Sequence, residues 1–401
     1  ASQDEYLTET TAREANFLSP VTGKPLVRKR ERNYFFKLSA YQDRLLKHIE
    51  ANPGFIRPEA RRNEVLGRIR QGLQDVPVSR AVDPNDPASQ WGIRMPADEQ
   101  HRVYVWIDAL FNYLSVVDTG ARRKYWPCDA HLIGKDILWF HAVIWPAMLL
   151  SLGEPLPGSI VAHSWWVREG RKMSKSLGNF LDLPTLLAYG ETYSLDSLRW
   201  FLLTQGPQGA TDADFAHARF VETINADLAN ALGNAGSRVA NMIDKYFEAK
   251  APDPKGVTTF CDHDWPALAR TAVEHARARL REFDLAGSFQ SALALVRRVD
   301  GYINATEPFK LAKDPSKRED LAVILYHCAQ ALRIAGALLL PAMPEKMATL
   351  LTRYGADPSD TFENLTRWGS LTPGVMIDKG EPLFPRADPD APAPVPVSAT
   401  P

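Results

Sequence analysis

Between residues 101 and 167 the sequence alternates short apolar runs rich in β-forming residues with stretches of helical spacing. VYVWID (103–108) reads as a strand, followed by a helix through Ala109, Tyr113 and Val116. HLIG (131–134) reads as a second strand, KDILWFHAVIWPAMLLSLG (135–153) as a buried helix and GSIVAHSWWV (158–167) as a third strand. Strands joined by helical crossovers pack as a parallel α/β sheet, and such sheets bind ligands at the carboxyl ends of their strands. Three strands are too few for a doubly wound domain, so the stretch is expected to be half of one.

Around this segment the pattern changes. Residues 1–100 are mixed and turn-rich: SPVTGKP (19–25) reads as a turn between short strands, AYQDRLLKHIEANPGF (40–55) as a helix ended by Asn52-Pro53-Gly54, and DPNDPASQWG (83–92) as a second turn cluster. From Asp214 to about Leu351 the spacing is helical, broken at KAPDPKG (250–256) and KDPSK (313–317), which predicts a bundle of four or five helices. The end, EPLFPRADPDAPAPVPVSATP (381–401), is rich in Pro and Ala and is expected to be extended or disordered.

Composition narrows the class. Of 401 residues, 45% are hydrophobic and 24% charged, and 47 Lys plus Arg face 48 Asp plus Glu. A net charge of −1 excludes a general polycation and leaves room for a local basic face. Cys128, Cys261 and Cys328 stand far apart with no C-x-x-C pair, so neither a disulfide framework nor a zinc knuckle is legible and a reducing cytoplasm is expected. The best candidate for a membrane span, residues 140–152, contains His141 and Pro146 and falls short of the roughly 20 residues a bilayer needs. A polar start without a signal peptide completes the expectation of a cytoplasmic enzyme or binding protein with no membrane partner.

The most informative string is Arg171-Lys172-Met173-Ser174-Lys175-Ser176-Leu177-Gly178-Asn179, directly after the third strand and the turn pair Glu169-Gly170. Two lysines three apart, spaced by small hydroxyl residues in a loop, suit a polyphosphate clamp, because each ammonium is a flexible point charge and the hydroxyls and loop N–H groups add donors. A lone K-x-x-K is ordinarily a solvated basic turn.

KMSKS is the signature loop of the class I aminoacyl-tRNA synthetases. NYFFKLSAYQDRL (33–45), RRNEVL (61–66), VYVWIDALFNY (103–113), IGKDILWFHAVIWPAML (133–149) and INADLANALGN (224–234) resemble, in order, segments of the bacterial methionyl-tRNA synthetases. The resemblance covers roughly residues 1–375. It implies an α/β plus all-α architecture: the second half of a Rossmann-like nucleotide-binding domain with a connective insertion, then an α-helical anticodon-binding bundle. The expected divisions are 1–100 for the rest of the insertion and the return to the catalytic domain, 101–167 for the half-domain, 168–213 for the KMSKS loop and stem-contact region, 214–375 for the bundle and 376–401 for a disordered tail.

The resemblance further implies activation of L-methionine by ATP to methionyl-adenylate and transfer to tRNA(Met), by positioning and charge stabilisation rather than a covalent nucleophile. Lys175, assisted by Lys172, would neutralise the departing pyrophosphate, with Mg2+ accompanying the nucleotide. Gly134 and Asp136 match the strand end that meets the ATP ribose, and His163 matches a histidine near the adenine, although Ser164 follows it where the family has Gly. Trp106, Ala109, Tyr113, Ile137 and His141 would line the methionine pocket. Their helical spacing fits a shared face, a pattern that without the resemblance is more often simple core. Asn230, Asn234 and Arg238, at i, i+4 and i+8, would form a polar stripe opposite Ile224, Leu228, Leu232, Ala235 and Val239 and contact the CAU anticodon. They are joined by Pro308-Phe309, where the family has Pro-Trp.

Two departures matter. Where the insertion often carries zinc-binding Cys-x-x-Cys knuckles, Ser19-Pro20-Val21-Thr22 has hydroxyls, so no structural zinc is expected there. None of the nine histidines forms the family's H-x-G-H. Residue 1 is therefore read as lying within the insertion. The chain is expected to be a fragment, a split-gene product or a truncated paralogue that needs a separate N-terminal half for activity. The alternatives are a non-catalytic tRNA-binding paralogue and a synthetase-like ligase acting on a non-tRNA acceptor.

Overall fold

The computed structural model describes residues 12–13, 15–19, 23–26, 31–96, 98–173 and 178–396. The chain divides into two compact units, Ala1–Val161 and Ala162–Pro401.

The first unit holds a three-stranded sheet whose middle strand begins with Ile160 and Val161 and is flanked by Ile56–Arg57 on one side and His131–Gly134 on the other; this strand runs on to His163, past the end of the unit. Ile56 and Arg57 pair in parallel with Ile160 and Val161. The helix Gln42–Ala51 contributes Leu45 and Ile49, one turn apart, to the core, and Asn52 closes it by donating its backbone and side-chain N–H groups to His48 O. Residues 135–152 form a 3-10 turn, a π segment over Phe140–Ile144 and the α-helix Trp145–Leu152. Pro146 cannot donate the N–H that an α-helix would direct at Ala142, and the widened π register precedes it. Gly153, at φ +74°, ends the helix in the left-handed conformation glycine adopts without strain.

Two expected strands differ. VYVWID is split: the antiparallel strand Asp98–Val103 ends at Val103 and the helix Val105–Ser115 begins two residues later. Leu110 and Leu114, buried at i and i+4, extend the helical period back through the β-formers, and that burial overrides their local preference. The third strand of the main sheet is instead Ile56–Arg57, which is too short to show a period. GSIVAHSWWV is likewise two strands, Ile160–His163 and Trp166–Arg168. The chain breaks at Ser164, whose N–H donates to Pro207 O and whose hydroxyl donates to Gly209 O.

In the second unit, Trp166–Arg168 pairs antiparallel with Arg171–Lys172 and parallel with Ala213–Asp214. Glu169 and Gly170, at φ +52° and +69°, form the tight turn between the first two, as the right-handed twist of a hairpin demands. The predicted bundle is present, with Trp265–Arg281, Leu285–Thr306, Arg318–Leu339 and Pro344–Arg353 packed on a helical run from His217 to Phe247. Asp264 and Asp284 cap two of these helices by accepting from Ala267 N and Gly287 N.

Arg318–Leu339 is the axis of this core, with Leu321 through Leu339 all buried. Pro315–Leu339 is long and apolar enough to cross a membrane, which corrects the expectation that no such run exists. Its apolar window is wholly buried within the protein.

The tail is also corrected. Residues 376–396 form no helix, yet Ile377, Leu383, Phe384 and Ala387 are buried in the bundle's core. Asn225 brackets Ala387 with two hydrogen bonds, of 2.9 and 2.8 Å, and His217 Nε2 donates to Ala391 O at 3.0 Å. The Pro content prevents regular structure, but the Leu-Phe pair provides an apolar anchor.

Candidate functional site

In the first unit, Val105–Ser115 packs beside the 135–152 segment. Trp106 stacks on Phe140 with ring centroids 4.1 Å apart and an interplanar angle of 15°. Tyr113 Oη lies 3.0 Å from His141 Nε2, and His141 Nδ1 lies 3.0 Å from Ile137 O. A carbonyl can only accept, so Nδ1 carries the proton and Nε2 accepts from the Tyr113 hydroxyl. Burial lowers the His141 pKa and raises that of Tyr113, which keeps both neutral.

The His131 ring sits 4.3 Å from that of Tyr113. Its pKa is pushed down to about 4, first by burial and then by His141. Cys128 Sγ lies 3.7 Å from His131 Nε2, and burial raises its thiol pKa. Trp145 closes the cluster 5.4 Å from Phe111 and 6.0 Å from Trp126. The product is an aromatic wall with polar atoms and no charge.

Of the residues expected to bind methionine, Tyr113, His141 and Ile137 are joined in one hydrogen-bonded chain and Trp106 is joined through Phe140. Ala109 is exposed on the same helix between Trp106 and Tyr113. Phe140, His131 and Cys128 were missed by reading the sequence. Phe140 stands three residues after Ile137, a spacing that could have placed it on the same face.

Gly134, at φ −72°, ends its strand and caps the turn Lys135–Ile137, which holds the exposed Asp136. Both belong to the first unit; His163 and Lys172 belong to the second. His163 is exposed and donates from Nδ1 to Ser164 O at 2.8 Å, leaving Nε2 as an acceptor. Lys172 is exposed in its hairpin strand, and Asn179 Nδ2 donates to its carbonyl at 3.1 Å, tying the two ends of the loop together. Lys175 lies outside the described residues.

Asn230 and Asn234 are exposed and Arg238 is half-buried. The expected α-helical stripe is modified, because Ile224–Gly233 is a π-helix and only Asn234–Phe247 is α. A Cβ on Gly233 would come 3.1 Å from Leu228 O, so the glycine accommodates the i to i+5 register. Ile224, Leu228, Leu232, Ala235 and Val239 are buried as expected. Arg238 is held by Asp300 at 2.8 Å and Asn304 at 3.0 Å, two partners not found from sequence. Pro308 is buried and opens a short turn after Glu307, while Phe309 is 42% exposed.

A half-sheet of nucleotide-binding type and a helical bundle with an exposed polar face together define the class I aminoacyl-tRNA synthetase plan. The family model described as "tRNA synthetases class I (M)" matches residues 5–240. The methionine–tRNA ligase of Bacillus subtilis is 41% identical over 381 residues, covering 92% of this chain and 55% of its own length. That of Streptomyces coelicolor is 40% identical over 385 residues, covering 92% and 69%. The structure of Mycobacterium tuberculosis methionyl-tRNA synthetase with methionyl-adenylate superimposes with a TM-score of 0.80 at 36% identity, over 92% of this chain and 72% of that one. The chain belongs to the methionine-type family of class I tRNA synthetases. It spans just over half the length of several of the curated relatives it matches.

Proposed function

We propose that the chain supplies the second half of the catalytic domain and the tRNA-reading bundle of a cytoplasmic methionine–tRNA ligase. In this reaction the methionine carboxylate attacks the α-phosphorus of ATP, the bond to pyrophosphate breaks and methionyl-adenylate forms. A ribose hydroxyl at the tRNA terminus then attacks the acyl carbon and releases AMP.

The observation that carries the reading is the uncharged wall around Tyr113, His141, Ile137 and Trp106. Its aromatic faces suit a flexible thioether, which gains sulfur–ring contacts, and the absence of charge disfavours ionic side chains. Ala109, small and exposed between Trp106 and Tyr113, leaves room for the ligand. At the nucleotide, Asp136 would accept from ribose hydroxyls, Gly134 would admit the nucleotide close to the backbone and His163 Nε2 would accept from the adenine amine. Lys172 and Lys175 would neutralise the leaving pyrophosphate. Mg2+ would accompany the nucleotide, held by its phosphates. Asn230, Asn234, Arg238 and the exposed ring of Phe309, carried on Pro308, would read the anticodon.

Among the described residues the outer strand His131–Gly134 is paired on one side only, the kind of edge a further strand covers, and its Leu132 is 70% exposed on a sheet face beside that edge. A segment bearing H-x-G-H, on this polypeptide or another, would complete the site there. Charging assays of CAU-anticodon tRNA with [35S]methionine, with that segment supplied, test the reading. Charging that falls when the anticodon is changed supports it. Activation of methionine without transfer to tRNA would favour a ligase with another acceptor.

A further inference from the structure

Under the tail of the second unit lies a cavity of about 300 Å³ with no established role. Its polar lining consists chiefly of donors: Lys346, Arg386, and the hydroxyls of Thr192, Ser194 and Ser197. Phe384 forms part of its apolar floor.

The cations are available. Lys346 Nζ lies 5.9 Å from the centroid of the Phe384 ring, and neither it nor the Arg386 guanidinium has an ion-pair partner among the described residues. The hydroxyls have a proton to spare. Ser194 Oγ accepts from Ser197 N at 3.2 Å and shares one hydrogen bond with Ser197 Oγ at 3.0 Å, so one of the two protons remains free for a ligand. No carboxylate lines the cavity. Of the acidic side chains near the lining, Asp196 accepts from Lys346 N at 2.6 Å and burial raises its pKa, while Asp388 acts on Tyr193.

The cavity is held in shape from both sides. Leu383, Phe384 and Ala387 are buried, and Asn225 fixes Ala387 by both its N–H and its carbonyl. Arg386 therefore projects from a segment anchored on either side of it. Two unpaired cations and spare hydroxyl donors converging on a preformed cavity match the chemistry of a phosphoryl group, which offers several acceptor oxygens and at least one negative charge.

We infer that this cavity is a phosphate-binding site, distinct from the lysine loop. The phosphoryl group could belong to a small phosphorylated molecule or to a nucleic-acid backbone, and the two sources separate experimentally. The full chain is titrated with inorganic phosphate against chloride at constant ionic strength, with Tm as the readout. The inference predicts a saturable rise in Tm that is lost in the Lys346→Met, Arg386→Gln double variant and retained in Lys172→Ala. Both substitutions are mild: methionine keeps the apolar stem on Phe384, and Arg386 is exposed.

No saturable shift, or one equal in wild type and the double variant, overturns the inference. A shift lost only in Lys172→Ala also overturns it, because the anion then sits at the lysine loop. Filter binding of tRNA assigns the source. Competition by phosphate together with weaker binding by the double variant indicates a backbone phosphate. Unchanged tRNA binding alongside the Tm effect indicates a small phosphorylated ligand.

Discussion

Tyr113 donates to His141 Nε2 because Ile137 O has already claimed the Nδ1 proton, so removing the hydroxyl leaves a buried acceptor unpaired. In the completed enzyme, Tyr113→Phe is expected to raise the methionine KM by roughly 3–10-fold, equivalent to about 1 kcal/mol, with a smaller change in kcat. Steady-state kinetics with methionine as the varied substrate check this. His131 gives a pH signature. Its folded pKa of about 4 lies below the unfolded value, so between those values the unfolded chain binds more protons. Stability should therefore be complete above about pH 6.5 and fall by on the order of 2–3 kcal/mol as pH drops towards 4. Denaturant titrations across that range, with His131→Asn reducing the dependence to what His48, His141 and His327 contribute, measure it. On the bundle, Phe309→Ala is expected to weaken tRNA binding by roughly 5–100-fold through lost stacking on a base, as gel-shift titration would read. The residues that make these arguments were only partly legible in advance. Tyr113, Ile137 and His141 share a helical period, but Asp300 and Asn304 come to Arg238 from more than 60 positions away, and no local period reports such a pairing.

The helical run from His217 to Phe247 carries the polar face, and its π segment depends on Asp227 and Gly233. Asp227, nearly buried, accepts from Trp200 Nε1 at 3.2 Å and from Arg297 at 2.8 Å, which fixes the segment against two other helices. Gly233 allows the backbone to approach Leu228 O. Gly233→Ala should cost about 1–3 kcal/mol and lower Tm by roughly 2–8 °C, with circular dichroism melts as the check. Elements with long apolar periods were readable from the sequence, including the helices of the bundle and the breaks at 250–256 and 313–317. The short elements were not. Ile56–Arg57 is too brief to carry a period, VYVWID has β-forming residues that run into a helix buried at Leu110 and Leu114, and Leu383-Phe384 anchors a tail whose prolines suggest disorder. In each case tertiary burial decided against local composition.

For the whole molecule, the question is what covers the edge of the first unit's sheet. Leu132 stands exposed on the outer strand, and the uncharged wall formed by Tyr113, His131 and His141 lies on the helices and strand next to it. The proposed function predicts chemistry that depends on a completing segment. The direct measurement is methionine-dependent ATP–pyrophosphate exchange, run with this chain alone and then with a separately expressed segment carrying H-x-G-H. Exchange in the mixture only, weakened by Leu132→Lys beside the open edge, is the predicted result. Exchange in neither would contradict the assignment of this chain to methionine activation and leave tRNA binding as its role.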